Sequence, residues 1–505
     1  MNRYLFAGLF VCSLAAQVAA QDAPRAQQPT DFTGVQLKNR APVSNEILKV
    51  KFPKPAESRL KNGMELLVLE EHRSPTIRVQ IAVPASNLND PEGSVISQAT
   101  GSLMRLGAKA SDAPSVVALL KRLGLTALDA RSIAEALAGN GATISFNIGD
   151  RYAYATLSTL SENLDVMMAL MANMLFNPSF PQDELDKWKN QQLSQLQQVR
   201  SVPDFLSIER FAKAMYPDDR RSFVLPSADS VKSLTRDMLV AHHQKIYRPE
   251  GGRITVLGDI SASQITPKLE SLLAEWKGAG TKPPTLPLLG VIKGRTVILV
   301  DRPSSVQTAF YLGNRAFDRC SPDYIPAQVM NRVLGGGPAS RLFRNIREAK
   351  GYTYGISSGL TASQYMNLFE LQTSVRTEVT GDALREIVKE FADIRNQPVP
   401  SDELENAKRA LVASFALSTE NQATALSNAT TLKEYPCLPA NYWDTYPEKI
   451  AAVTAADVQR VAQKYVPLDD LVIVAVGDGS KIRSVLAGFG TIEEWDSEGR
   501  RRPVK

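Results

Sequence analysis

Two stretches of this 505-residue chain follow one plan. The first half closes with "LTRDMLVAHHQKIYRPEGGRITVLGDI" and the second with "VTAADVQRVAQKYVPLDDLVIVAVGDG". Each runs through Thr, then Asp, a helical stretch, Tyr-x-Pro, an apolar strand and Gly-Asp. Thr235 and Thr454 are 219 residues apart, as are Asp259 and Asp478, and Tyr247 and Tyr465 are 218 apart. The halves also open alike, with "ELLVLEEHRSPTIRVQIAV" and "TVILVDRPSSVQTAFYLGN", each a strand pair around a polar turn. Duplicated domains of strands followed by long helical stretches predict an α+β, two-layer design. The length also suits two domains better than one core.

Punctuation predicts the boundaries. Residues 1–20 read as a secretory signal peptide: Arg3, a mostly apolar run from Leu5 to Ala16, and the small residues Ala19 and Ala20 before Gln21. "LFVC" lacks the small residues expected before a lipidated cysteine, so Cys12 is not an expected anchor. Residues 21–45, rich in Gln, Ala and Pro, read as a flexible leader. The first domain is placed at 46–276, a Gly/Pro linker at 277–290, the second domain at 291–480 and a tail at 481–505. No other apolar run is long enough to span a bilayer. The expectation is an exported, most simply periplasmic, protein without a stable membrane span. Net charge is +5, and the one dense basic run is "GRRRPVK" at the end. It reads as a solvated tail, so nucleic acid is not an expected partner. Cleavage would leave Cys320 and Cys437. An exported compartment permits their pairing, and a separation of 117 residues leaves open whether they pair or remain two buried thiols.

The densest chemistry lies in "LGGGPASRLFRNIREAKGYTYGISSG", Leu334 to Gly359. A phosphate loop is excluded: the Lys-Ser/Thr pair and the G-x-G-x-x-G spacing are missing, and Pro338 removes a donor. Gly355-Ile356-Ser357-Ser358-Gly359 matches a nucleophile elbow. However, no helix and no histidine follow it, so Ser357 reads as a turn serine. The third reading is an element that grips a peptide. Ser340 is a candidate N-cap, Leu342, Phe343 and Ile346 form an apolar face, and Gly351 can end the helix in the left-handed conformation. A strand "YTYGI" follows, with Tyr352, Tyr354 and Ile356 expected on one face. Arg347 and Tyr354 could then converge on carbonyl or carboxylate oxygens. The same two residues would also serve as a solvated arginine and a core tyrosine.

Together with "DYIPAQVMNRVLGGGPASRLF" and the Tyr-x-Pro…Gly-Asp ends, this stretch resembles the M16 peptidase family, the insulinase, pitrilysin and mitochondrial processing peptidase group. The resemblance covers nearly the whole mature chain. It implies two duplicated M16-type domains, each a mostly antiparallel sheet with helices packed on one face, together forming half of a clamshell. It implies that Arg347 and Tyr354, seven apart, are the family's R/Y pair and hold an unfolded peptide substrate opposite a zinc. Gly335, Gly336 and Gly337 are expected near the same cleft.

Active members carry H-x-x-E-H on a helix of the first domain, two histidines as zinc ligands and the glutamate as base. Aligned on Leu103 and Gly107, the five positions here are Gln98, Ala99, Thr100, Gly101 and Ser102. The distal glutamate falls near Trp188, which cannot ligate a metal. His72 stands alone, and His242 and His243, adjacent on a helix, point about 100° apart. All three read as surface or core histidines. The expectation is a chain that binds no cofactor. Zinc is expected on an H-x-x-E-H-bearing partner in a heterodimer, and a non-enzymatic binding or scaffold subunit is the alternative.

Overall fold

The computed structural model describes residues 52–502 apart from 92, 110–113, 218, 364 and 366. The signal peptide, leader and Cys12 readings lie outside the described residues. The first sheet comprises β1 (Ala56–Arg59), β2 (Glu65–Glu70), β3 (Thr76–Pro84), β4 (Thr143–Ile148), β5 (Tyr152–Leu160) and β6 (Arg253–Gly258). The second comprises β7 (Thr296–Asp301), β8 (Gln307–Arg315), β9 (Thr353–Ala362), β10 (Asn367–Arg376), β11 (Val472–Gly477), β12 (Thr491–Trp495) and β13 (Arg501–Arg502). Their spatial orders are β1-β2-β6-β3-β5-β4 and β13-β12-β7-β11-β8-β10-β9. The repeat is explicit in this topology. In each sheet a parallel pair (β2 with β6, β7 with β11) is followed by three antiparallel pairings that end on an edge strand, β4 or β9. This is the duplicated α+β fold expected from the sequence.

One apolar face of each sheet packs on helices of its own half. The opposite face also receives a helix from the other half. Leu206, Phe211 and Met215 of the Pro203–Met215 helix pack on Ile298, Val300, Val474 and Val476 of the second sheet. Ala425, Leu426 and Ala429 of the Gln422–Glu434 helix gather with Leu69 and Leu257 of the first. The central strands β6 and β11 are therefore buried along their whole length. "VIVAV" runs apolar without alternation for that reason. Each large side chain so buried contributes roughly 1.5–3 kcal/mol.

The reading of 481–505 as a tail needs correction. β12 and β13 belong to the second sheet, with β12 pairing parallel to β7, and the Gly479–Leu486 helix packs Ile482 and Leu486 into the second core. Buried Glu494 pairs with Arg483 (2.9 Å). The arginines read as a solvated run are spent on carboxylates: Arg500 on Asp496 (2.9 Å), Arg501 on Glu493 (3.3 Å) and Arg502 on Asp301 (3.2 Å). Cys320 and Cys437 are joined by a disulfide, Cα to Cα 5.8 Å. Both are exposed, so two buried thiols is not the arrangement found. Among the described residues no helix is long and apolar enough to cross a membrane.

Candidate functional site

Arg347 sits near the end of a π-helical turn, Phe343–Ala349. Leu342 and Ile346 are fully buried and fix this turn to the second core. Ser340 does not cap it: its hydroxyl is buried without a partner, and its carbonyl accepts from the Arg344 amide instead. Gly351 leaves the turn at φ +61°, as the sequence predicts.

The strand that follows breaks the expected alternation. Thr353 pairs with Val375 and Ile356 with Thr373, so β9 carries one extra residue against β10. The Thr353 hydroxyl holds this bulge, donating to the Ser374 carbonyl (2.7 Å) and accepting from the Gly355 amide (3.1 Å). Ile356 is buried, whereas Tyr354 turns outward and is 90% exposed. The expectation of Tyr352, Tyr354 and Ile356 on one face fails through this bulge, which re-aims a side chain as bulges do. Tyr354 is therefore not a core tyrosine. Ser357 is a residue of β9, not of a turn.

The guanidinium of Arg347 lies between two rings, 4.6 Å from the Phe343 centroid and 5.0 Å from that of Tyr354. Its neighbours are spent elsewhere. Arg341 and Arg344 pair with Glu403, and Lys350 with Glu386. Among the described residues the Arg347 side chain makes no hydrogen bond or ion pair, so its guanidinium donors and the Tyr354 hydroxyl are unspent. Two cation–π contacts at an open site are worth about 0.5–1 kcal/mol each. They pre-orient the pair without using its donors.

Gly335, Gly336 and Gly337 form a joint. A Cβ on Gly335 would stand 2.8 Å from the Ser358 amide, one on Gly336 2.9 Å from the Arg332 Cα, and one on Gly337 2.7 Å from Arg332 Nη1. Ser358 donates its amide to the Gly335 carbonyl (3.0 Å) and its hydroxyl to Asn331 Oδ1 (2.7 Å). The joint thus ties the Tyr324–Leu334 helix to β9, four residues beyond Tyr354.

The corresponding positions in the first half present no histidine, cysteine or carboxylate. Gln98, Gly101 and Ser102 lie on the Ile96–Met104 helix, which packs on edge strand β4. Gln98 is exposed and Ser102 half-buried. A Cβ on Gly101 would stand 2.9 Å from the Phe146 carbonyl oxygen and 3.1 Å from the Asn147 Cα, so backbone occupies the space of the missing base. Trp188, on the Gln182–Arg200 helix, is 7% exposed and part of the core that includes Ala99 and Leu103. Among the described residues no three His, Cys, Asp or Glu side chains gather into a metal-holding group.

The histidines are accounted for. His72 is exposed and bonds Asp259 (2.7 Å), and His243 Nε2 meets the Leu175 carbonyl (2.8 Å). His242 Nε2 lies 3.1 Å from Ser97 Oγ and 4.0 Å from Asp90 Oδ1. Both partners meet the same ring nitrogen, whereas a nucleophilic triad needs one on each. Burial pushes His242 down to about 4, helped by the nearby Lys245 and His243, and burial raises Asp90. A folded-state histidine pKa below its ordinary 6.5 means that the unfolded chain binds a proton which the folded chain refuses. Stability should therefore fall as pH drops from about 6.5 toward 4, by roughly 3 kcal/mol at most. Asp90 acts in the opposite sense. His242→Gln is expected to flatten that part of a urea-midpoint-versus-pH curve. An unchanged slope would assign the pH dependence elsewhere.

A family model described as the peptidase M16 inactive domain matches residues 233–411. Similar proteins include the uncharacterized zinc protease YmxG of Bacillus subtilis, 24% identical over 299 residues, 58% of this chain and 71% of the relative. The non-peptidase homolog YmxG of Helicobacter pylori is 25% identical over 354 residues, 69% and 80%. A crystal structure of a peptidase M16 inactive domain from Pseudomonas fluorescens matches with TM-score 0.74 and 25% identity, covering 84% of this chain and 98% of that one. A protease structure from Helicobacter pylori has TM-score 0.74 at 17% identity, covering 85% and 100%, and carries the likeness of fold alone.

Proposed function

We propose, from the match of residues 233–411 to the peptidase M16 inactive domain and the likeness to a solved one, that this chain is the peptide-gripping, zinc-less subunit of an exported, periplasmic two-chain zinc peptidase. The partner would carry H-x-x-E-H and the zinc. Tyr354 would donate to the developing oxyanion, and Arg347 would orient the backbone of an unfolded peptide. One observation carries this reading. An exposed tyrosine and a half-buried arginine are stacked together with every polar donor unspent. A tyrosine ring left 90% exposed adds little to the core, so packing alone does not account for its place beside Arg347.

A second reading, a non-enzymatic binding or scaffold protein, is favoured by the name of the Helicobacter relative, a non-peptidase homolog. Affinity purification of the mature chain from its native host separates the two. A second M16-type protein bearing H-x-x-E-H is expected in near-equal amount. Recovery of the chain alone, or with non-peptidase proteins only, would replace the first reading with the second.

A further inference from the structure

The Gln422–Glu434 helix belongs to the second half yet is seated on the first sheet. Both of its ends are pinned there by polar contacts. Gln422 Nε2 donates to Thr76 Oγ1 (3.0 Å), Lys433 pairs with Glu57 (2.6 Å), and Arg151 donates to the Glu434 carbonyl (2.8 Å). The loop that follows, residues 435–441, returns the chain to the second half. Arg319 faces four rings around that return, Tyr324 (4.7 Å), Trp443 (5.6 Å), Tyr435 (5.9 Å) and Tyr442 (5.9 Å). Arg151 approaches Tyr435 at 5.9 Å. The neighbour of Arg319, Cys320, is bonded to Cys437 within the same loop. One stacked cation and one covalent bond therefore hold the loop to the entrance of the Tyr324–Leu334 helix.

We propose that the Cys320–Cys437 bond is a redox-sensitive strap, opened in the folded protein by a dithiol reductant, and that opening it loosens the Gln422–Glu434 helix from its seat on the first sheet. Both cysteines are exposed, so an attacking thiolate can reach either sulfur. Exposed disulfides are the labile ones. The attack breaks the S–S bond and forms a mixed disulfide. The second thiol of the reductant then displaces the remaining protein sulfur. The protein gains two electrons and two protons as two S–H groups, and the dithiol leaves as its cyclic disulfide. The bond closes a separation of 117 residues that includes β9, β10 and the whole Gln422–Glu434 helix. Once it is open, ring stacking, the packing of Leu438 and scattered polar contacts hold the loop. This inference does not depend on the peptidase reading.

The test uses dithiothreitol on the native full chain, with mass spectrometry of maleimide-labelled peptides and hydrogen exchange. Without reductant, Cys320 and Cys437 are expected to stay unlabelled. With reductant and no denaturant, both label, and exchange over 422–441 rises at least ~10-fold while β7 and β11 keep their protection. The double variant Cys320→Ser, Cys437→Ser should reproduce the reduced exchange pattern without reductant. Labelling without reductant, resistance until global unfolding, or reduction with unchanged exchange over 422–441 would each overturn the proposal.

Discussion

The double variant Arg347→Ala, Tyr354→Ala is expected to lower peptide turnover by the assembled complex by about 10²–10³-fold, the size of losing a preorganised oxyanion donor. The partner's zinc content should be unchanged, because on this reading every zinc ligand belongs to the partner. Melting temperature should also hold. Tyr354 is 90% exposed, and Arg347 contributes only two ring contacts. Tyr354→Phe separates the hydroxyl from the ring: it keeps the stack on Arg347 and removes the donor. A fall in kcat with little change in KM would mark an interaction made in the transition state, and a rise in KM alone would mark uniform peptide binding. Full turnover by the double variant would remove the pair from the mechanism and leave the scaffold reading standing.

The legible parts of this protein were those written in local sequence. The two Thr…Asp…Tyr-x-Pro…Gly-Asp ends announce the duplicated sheets because each encodes a cap, a helix and a buried strand in one run. Thr454 and Asp457, for instance, form a reciprocal capping box. The convergence of Arg347 on Tyr354 followed from a spacing of seven around Gly351. The bulge was not legible, since it depends on register against β10, and that register is set by hydrogen bonds from Thr353 and Thr373 across the strands. The cross-covering helices were hidden for a related reason. Phe211 and Leu426 are ordinary apolar residues on helices, and nothing local says that they pack on the other half's sheet. β12 lay in a charged segment whose arginines are exposed, as a solvated run would be, and only the carboxylates beside them show that they border a sheet.

Gly101 shows how firmly the zinc site is closed. At a mid-helix position, Gly→Ala ordinarily stabilises by about 1 kcal/mol through backbone entropy. Here the opposite sign is expected: Gly101→Ala should destabilise by roughly 1–3 kcal/mol, because the new methyl meets the Phe146 carbonyl at 2.9 Å and the Asn147 Cα at 3.1 Å. Those atoms are backbone of edge strand β4, so they cannot rotate aside as a flexible side chain would. Gly101→Glu should cost more, since a longer side chain must follow the same blocked direction. Gln98→His with Ser102→His should be tolerated, as one position is exposed and the other half-buried. The three variants, compared by urea denaturation, separate loss of ligands from loss of space. If Gly101→Glu folds as stably as the parent, the helix and β4 can part, and the triple variant should then be tested for stoichiometric zinc. If Gly101→Ala already lowers the midpoint, a glutamate at this position must carry the same clash with β4, so a base on this helix would require the helix and the strand to move apart.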